Sequence, residues 1–402
     1  MSFSPKDEQY MRQALQLARQ GVALASPNPR VGAVVVSAQG EVVGSGFHTY
    51  DGVKHAEVLA LEQAGARAKS GTLYLNLEPC SHQGRTPPCT DAVIAGGVSR
   101  VVAAMADPNP QVVGQGFARI RAAGITVDRG LMEAEARKLN EAFAKYIRTK
   151  LPLVVLKSGM TLDGKIAGPQ GASVNSPQNG KRMPETPVNT SVREVGGAIA
   201  WITSKEAREH VQELRHESDA IMVGVGTVVA DDPLLTDRTG LPRRRGLLRV
   251  ILDSRLRLPL ESRVVKTVRD DVLVFCSFAE ENKRRELEAR GVRVEQVALG
   301  PSDGRPDMKK VIARLGELQI TSVLVEGGAL VNWEALAAGI VDKVFFYYAP
   351  KILGGSGSIP FAGGAGFKQM SEAAVVRNIT LHRFGEDFAV EGYLRDPYAV
   401  QG

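Results

Sequence analysis

His55-Ala56-Glu57-Val58-Leu59-Ala60-Leu61-Glu62-Gln63-Ala64, then Thr72-Leu73-Tyr74-Leu75-Asn76-Leu77-Glu78-Pro79-Cys80, then Cys89, set the fold of the first part of the chain. The 55–66 stretch suits a helix ending near Gly65, 72–77 a strand, 79–87 a cysteine-bearing loop, and 88–95 a second helix. That order gathers one imidazole, two thiols and one free carboxylate. Tetrahedral zinc held by three protein ligands keeps a fourth position for water and lowers its pKa toward neutrality. His55, Cys80 and Cys89 are the expected metal ligands, and Glu57 is the expected proton shuttle, uncoordinated. The usual pattern for zinc deaminases is H-x-E with a later P-C-x-x-C. Here eight residues, Ser81 to Pro88, separate the cysteines. The ligand set is ordinary and the spacing is not. A buried histidine with two reduced core cysteines, or a closed structural zinc site completed by His82, are the blander alternatives. The positions of Glu57 and Pro79 favour the open catalytic site.

Working outward, 31–36 and 41–44 read as strands joined by a turn near Gln39-Gly40, and 99–105 as another. Helices are expected at 114–123 and 133–148, with a short strand at Ile125 and Val127 between them. Strands alternating with helices imply a layered α/β sandwich. Lys150-Leu151-Pro152 is the expected boundary, giving domains 1–150 and 151–402. In the second half, strands are expected at 153–157, 219–223, 248–252, 272–276, 292–296, 321–325, 342–348 and 388–394, the last ones antiparallel. Helices fit 204–217, 279–290, 308–316 and 328–338. Residues 168–198 are rich in turn formers and lack periodicity, so they read as a long insertion, either a flexible loop or a lid.

At 402 residues the chain is long enough for two cores. Apolar residues at 44% and charged residues at 23% describe a globular protein. Fifty basic against 44 acidic residues give +6, spread along the chain, and aromatics are only 5%. That pattern argues against a nucleic-acid surface and against an editing deaminase with a nucleic-acid-binding second half. Arg243-Arg244-Arg245 after Pro242 reads as a solvent loop. Ser4-Pro5-Lys6-Asp7 reads as a helix start rather than a secretory leader. No apolar run approaches the roughly 20 residues of a membrane span. Three cysteines, with Cys276 a buried small hydrophobe, fit a reducing compartment. A cytoplasmic homo-oligomer without membrane or nucleic-acid partners is the expected setting.

Within the second half, Leu324-Val325-Glu326-Gly327-Gly328 and Gly224-Val225-Gly226-Thr227 each follow a strand. Backbone N–H groups at 328–331 would suit a phosphate, and Gly354-Gly355-Ser356-Gly357 is another phosphate-loop candidate. None is the G-x-G-x-x-G fingerprint of a dinucleotide fold.

Taken together, Ser26-Pro27-Asn28-Pro29-Arg30-Val31-Gly32, Gly46-Phe47-His48, His55-Ala56-Glu57, the Glu78–Cys89 run and Asp107-Pro108-Asn109-Pro110 resemble the bifunctional deaminase-reductases of riboflavin biosynthesis. The long cysteine spacing is a feature of that family. The likeness continues through Lys157–Ala167, Trp201-Ile202-Thr203-Ser204, Gly226–Thr236 and Glu326-Gly327-Gly328. It implies a cytidine-deaminase-like α/β/α sandwich followed by a dihydrofolate-reductase-like α/β domain. It implies zinc-dependent deamination of a 2,5-diamino-6-(phosphoribosylamino)pyrimidinone to the uracil, then NADPH-dependent reduction of ribosyl to ribityl. Asn28 and His48 become expected deaminase pocket residues. Met160, Trp201, Thr227, Asp231, Ser254 and the segment Gly328, Ala329, Leu330, Val331, Asn332, Trp333 and Glu334 would hold the cofactor. Arg215, Leu235, Arg238 and Glu326 would face the substrate, the arginines suiting its phosphate. Lys157 and Asp231 are both candidates for proton transfer. The sequence departs from the family in two places. About thirty residues separate Lys165-Ile166-Ala167 from Trp201, and Ala198-Ile199-Ala200 stands where the family places a polar substrate contact.

Overall fold

The computed structural model describes residues 3–169, 193–195, 198–301 and 304–399. It divides into two compact units. The first is the chain to Leu151 with Leu241–Arg245 and the stretch from Pro397; the second is Pro152–Gly240 and Gly246–Asp396.

The first unit opens on α1 (Pro5–Gln20). Ser4 caps it, its hydroxyl accepting from Asp7 N–H while the Asp7 carboxylate accepts from Ser4 N–H, a reciprocal capping box. Then follow β1 (Gly32–Val36), β2 (Val42–Phe47), α2 (Ala56–Ala64), β3 (Thr72–Leu75), α3 (Cys89–Ala95), β4 (Arg100–Ala103), α4 (Gln115–Ala122), β5 (Thr126–Arg129), α5 (Glu133–Leu139) and α6 (Glu141–Thr149). The sheet order is β2-β1-β3-β4-β5, antiparallel across β1 and parallel from β3 to β5. A Cβ on Gly32 would collide with the Ala14 carbonyl of α1, and one on Gly44 with the Ala60 carbonyl of α2. Gly46, also pressed against α2, pairs with Ala33, the neighbour of Gly32. Adjacent strand residues point to opposite faces, so α1 and α2 cover opposite sides of the sheet. The three-layer sandwich follows. One expected helix is two. The chain breaks at buried Asn140, whose amide accepts from Arg30 N–H (2.8 Å) and donates to Arg30 O (3.1 Å).

In the second unit come β6 (Leu153–Thr161), β7 (Lys165–Ala167), β8 (Arg193–Val195), β9 (Ala198–Ala200), α7 (Lys205–Glu217), β10 (Ala220–Gly224), α8 (Val225–Asp231), β11 (Leu248–Leu252) and α9 (Arg263–Lys266). They continue with β12 (Val272–Cys276), α10 (Glu281–Glu288), β13 (Arg293–Gln296), α11 (Met308–Glu317), β14 (Ser322–Val325), α12 (Ala329–Ala337), β15 (Lys343–Ala349), β16 (Ile359–Pro360), β17 (Arg377–Phe384) and β18 (Asp387–Tyr393). The main sheet runs β13-β12-β11-β10-β14-β6-β15-β18-β17. It is parallel as far as β15 and ends in the antiparallel pairs β15–β18 and β18–β17, as the sequence suggests. Cys276 is fully buried in the hydrophobic cluster beneath this sheet. Helices α8 and α9 and strands β7, β8, β9, β16 and β17 are additions to the expected elements, β8 falling within the stretch 168–198 read as an insertion. Most of the expected insertion, 170–192, lies outside the described residues, as do the side chains at 198–200. No helix among the described residues is long and apolar enough to cross a membrane.

Candidate active sites

His55 is the N-cap residue of α2 and Cys89 the first residue of α3, while Cys80 sits in the loop after β3. Their ligand atoms all lie within 4.8 Å of one another. His55 Nδ1 is 3.0 Å from Cys89 Sγ and 3.6 Å from Cys80 Sγ, and Cys89 N–H donates to Cys80 Sγ at 3.3 Å. The hydrogen bond with the Cys89 thiol holds Cys80 down to about 4 against the cost of burial, with His55 and that backbone N–H helping. Cys89 is pushed the other way by that bond and by burial. One imidazole and two sulfurs whose ligand atoms lie this close form a donor set that a tetrahedral divalent cation fits. His82 is exposed in the inter-cysteine loop and is not part of the cluster.

Glu57 is 3% exposed, and its Oε2 has no hydrogen-bond partner among the described residues. Burial pushes its carboxyl above the ordinary value, with His55 pulling against. A buried carboxylate oxygen without a partner is costly; here it stands beside the ligand cluster. His48 stacks edge-on to His55 at 5.0 Å. Its Nδ1 faces the Lys54 carbonyl at 3.0 Å, and its Nε2 lies 3.0 Å from Asn28 Nδ2. A carbonyl can only accept, so Nδ1 carries the hydrogen and Nε2 accepts from the Asn28 amide. That leaves Asn28 Oδ1, an acceptor, turned away from the histidine. The structure therefore brings together Asn28, His48, His55, Glu57, Cys80 and Cys89. It adds Glu78, whose carboxylate accepts from the N–H groups of Asp107 (3.0 Å), Gly114 (2.9 Å) and Phe117 (3.2 Å) and ties that loop beside Pro79-Cys80. Burial pushes Asp107 up to about 6, against the Asn109 N–H.

Arg243-Arg244-Arg245 is not the expected solvent loop. All three side chains are half-buried in the first unit, and Arg244 lies 3.7 Å over the Tyr50 ring. A planar guanidinium stacked on an aromatic ring gives up solvent for cation–π contact.

The second unit presents a different kind of site. Strand pairing sets Val325 beside Leu156, so Glu326, just past the end of β14, stands level with Lys157 on β6. Lys157 Nζ is 3.6 Å from Glu326 Oε2, and Arg215 of α7 grips both carboxylate oxygens at 2.6 and 2.9 Å. Burial would raise the Glu326 carboxyl, but Arg215 and Lys157 outweigh it and hold it down to about 2. Burial lowers Lys157 in turn, against Glu326. Arg215 also donates to Thr236 O at 3.0 Å, so its guanidinium is engaged within the protein. Arg238 is exposed, and Leu235 packs in the hydrophobic core at 3% exposure with a left-handed φ of 55°.

The expected cofactor residues gather at the C-terminal ends of parallel strands, where open α/β sheets bind ligands. Thr227 and Asp231 lie on α8 after β10, Ser254 follows β11, and Gly328 caps α12 after β14. Thr227 Oγ1 accepts from Gly328 N–H (3.0 Å) and Gly224 N–H donates to Gly327 O (3.1 Å), which joins the two glycine loops. No side chain caps α12, whose first turn holds Ala329, Leu330, Val331 and Asn332. Asn332 is 1% exposed and its Oδ1 has no partner among the described residues. Farther along, Trp333 packs against Phe367, and Glu334 pairs with Arg305. Met160 is buried on β6, while Trp201 is 44% exposed under Arg208. In the Gly354–Gly357 run, the Gly354 N–H is taken by the Asp163 carboxylate at 2.7 Å.

Family models match both halves of the chain. Residues 4–105 match the cytidine and deoxycytidylate deaminase zinc-binding region, and residues 190–390 the RibD C-terminal domain. The riboflavin biosynthesis protein RibD of Aquifex aeolicus is 41% identical over 384 residues, 96% of this chain and 97% of that protein. The solved structure of Acinetobacter baumannii RibD is similar with a TM-score of 0.78 and 34% identity, covering 96% of this chain and 98% of that one. A diaminohydroxyphosphoribosylaminopyrimidine deaminase/5-amino-6-(5-phosphoribosylamino)uracil reductase from Thermotoga maritima gives a TM-score of 0.76 and 35% identity, over 96% and 98% of the two chains. The chain belongs to the RibD family of bifunctional deaminase-reductases of riboflavin biosynthesis, which join a zinc-binding deaminase domain to an NADPH-dependent reductase domain.

Proposed function

We propose that the first unit deaminates 2,5-diamino-6-(5-phosphoribosylamino)pyrimidin-4-one to 5-amino-6-(5-phosphoribosylamino)uracil, and that the second reduces the ribosyl side chain of that product to ribityl. The observation that carries the reading is the His55, Cys80 and Cys89 cluster beside the unpartnered oxygen of buried Glu57. Zinc, held by those three side chains, supplies Lewis acidity and a water of lowered pKa. Glu57 takes a proton from the attacking water and returns it to the amine that leaves as ammonia, so one C–O bond forms as one C–N bond breaks. Its raised pKa suits a group that must both accept and release a proton. Asn28 Oδ1 accepts from an N–H on the pyrimidine, and His48 orients that amide.

In the second unit NADPH supplies the hydride. Thr227, Asp231, Ser254 and the first turn of α12 hold the cofactor, with Met160 and Trp201 beside it. Glu326 and Arg215 keep Lys157 in place, and Lys157, rather than Asp231, delivers the proton; support comes from its burial and depressed pKa. Arg238, the exposed member of the arginine pair, meets the substrate phosphate, and Leu235 shapes the wall from the core side. We place the enzyme in the cytoplasm as a homo-oligomer, acting on a small phosphorylated pyrimidine without nucleic acid or membrane. The exposed apolar side chains of edge strand β17, Ile379 and Leu381, support self-association. The test supplies the phosphorylated diaminopyrimidine and follows ammonia, then NADPH oxidation. Ammonia release that precedes and permits NADPH consumption supports the reading; NADPH oxidation without prior ammonia release contradicts the order of steps.

A further inference from the structure

Arg244 stands more than 130 residues beyond the last of the deaminase motifs, yet its contacts are with the loops that carry them. Its backbone N–H donates to Ala23 O (3.0 Å), its Nη1 to Ser26 O (3.1 Å) and its Nε to Asp51 Oδ1 (3.2 Å), while its guanidinium covers the Tyr50 ring. Arg245 Nη2 adds a bond to Ser26 Oγ at 3.3 Å. Ser26 is two residues before Asn28, and Tyr50 two residues after His48. Tyr50 also carries the Arg85 guanidinium at 4.4 Å, and Arg85 Nη1 donates to Tyr50 O at 3.0 Å. Arg85 belongs to the loop between the two cysteine ligands. One guanidinium therefore touches the Asn28 loop and the His48 loop directly and meets the cysteine loop through a shared aromatic ring.

We infer that Arg244 is a positioning residue for deamination, setting the Asn28 and His48 walls of the pocket relative to Glu57. The inference rests on the deaminase reading of that site. Asp51 is 75% exposed, so the ion pair alone contributes little. The work falls to the planar geometry, which lets one group stack on Tyr50 and donate in plane to Ser26 O. A lysine ammonium cannot do both. Arg244 bonds to Ala23, Ser26 and Asp51 and stacks on Tyr50, beside the Asn28 and His48 loops that would meet substrate, so the effect belongs in substrate binding.

The test uses the full-length protein with Arg244→Ala and Arg244→Lys. Deamination kinetics, zinc content, NADPH-dependent reduction of the deaminated substrate, and hydrogen exchange at 24–31 and 48–52 are measured together. Both variants should raise KM for the diaminopyrimidine about tenfold with kcat within about twofold. Zinc content and reduction should stay at the wild-type level, and the two segments should lose exchange protection. Unchanged KM and exchange, full rescue by lysine, or loss of zinc in step with activity would each overturn the proposal. If the wild-type protein releases no ammonia from this substrate, the functional reading fails on its own, and exchange still decides whether Arg244 holds the two loops.

Discussion

The two units carry their chemistry in opposite ways. In the first, reactive side chains stand close in sequence, His55 with Glu57 and Cys80 with Cys89, and two helix starts bring them together. In the second, the groups that matter are far apart in sequence: Arg215 reaches Glu326 across 111 residues, and Thr227 reaches Gly328 across 101. A metal centre needs a few strong donors, which local motifs supply. A site for a large cofactor needs a long edge of backbone and small side chains, which only the assembled sheet supplies.

Substitutions that separate the two sites test this contrast. Cys89→Ala should abolish zinc binding and deamination, seen by metal analysis and ammonia release, while reduction of the deaminated substrate persists. Simultaneous loss of reduction in a folded protein would break the division. A smaller effect is expected from Glu326→Gln, which leaves Arg215 and Lys157 buried beside a neutral group and should cost about 3 kcal/mol at neutral pH. The folded carboxyl lies at about 2, below its ordinary 4.5, so its stabilising charge is fully present above 4.5 and is lost as pH falls through about 2. The melting gap between Glu326→Gln and wild type should therefore close between those values; a pH-independent gap would contradict the ion-triad account.

Thr227→Val removes the acceptor of the Gly328 N–H. It should weaken NADPH binding about tenfold, a loss of about 1–2 kcal/mol, with deamination untouched. Titration of cofactor fluorescence measures it, and unchanged affinity would remove Thr227 from the cofactor site. Least of all, Ser4→Ala strips the cap from α1 and should lower stability by about 1 kcal/mol without altering either activity. Thermal melting beside the two assays checks it.

Legibility follows the same contrast. A continuous apolar run places β12 at Val272–Cys276, and a run broken only by Arg249 places β11 at Leu248–Leu252, as the sequence suggests, because central parallel strands are buried on both faces. Strand β17 escapes because it is the edge of its sheet and nearly every residue from Arg377 to Arg383 is exposed or half-exposed, so no buried face marks it. The break at Asn140 is hidden because helical periodicity runs through it; the reason for the break is a backbone partner at Arg30. Arg243-Arg244-Arg245 misleads for a related reason: charge runs usually face water, and only the folded chain reveals Tyr50 beneath. The cluster of His55, Cys80 and Cys89 is readable from residue types and from the H-x-E and Pro-Cys pairs, despite the unusual cysteine spacing. Glu78, which fixes the loop beside them, shows no pattern until its three N–H partners are in place.

The central claim, a metal-holding triad with a separate proton-carrying carboxylate, is tested most directly by Glu57→Gln in the full-length protein, with zinc content and ammonia release measured on one preparation. Full zinc occupancy with ammonia release reduced by about a thousandfold is the predicted result. Ammonia release at the wild-type rate would contradict it.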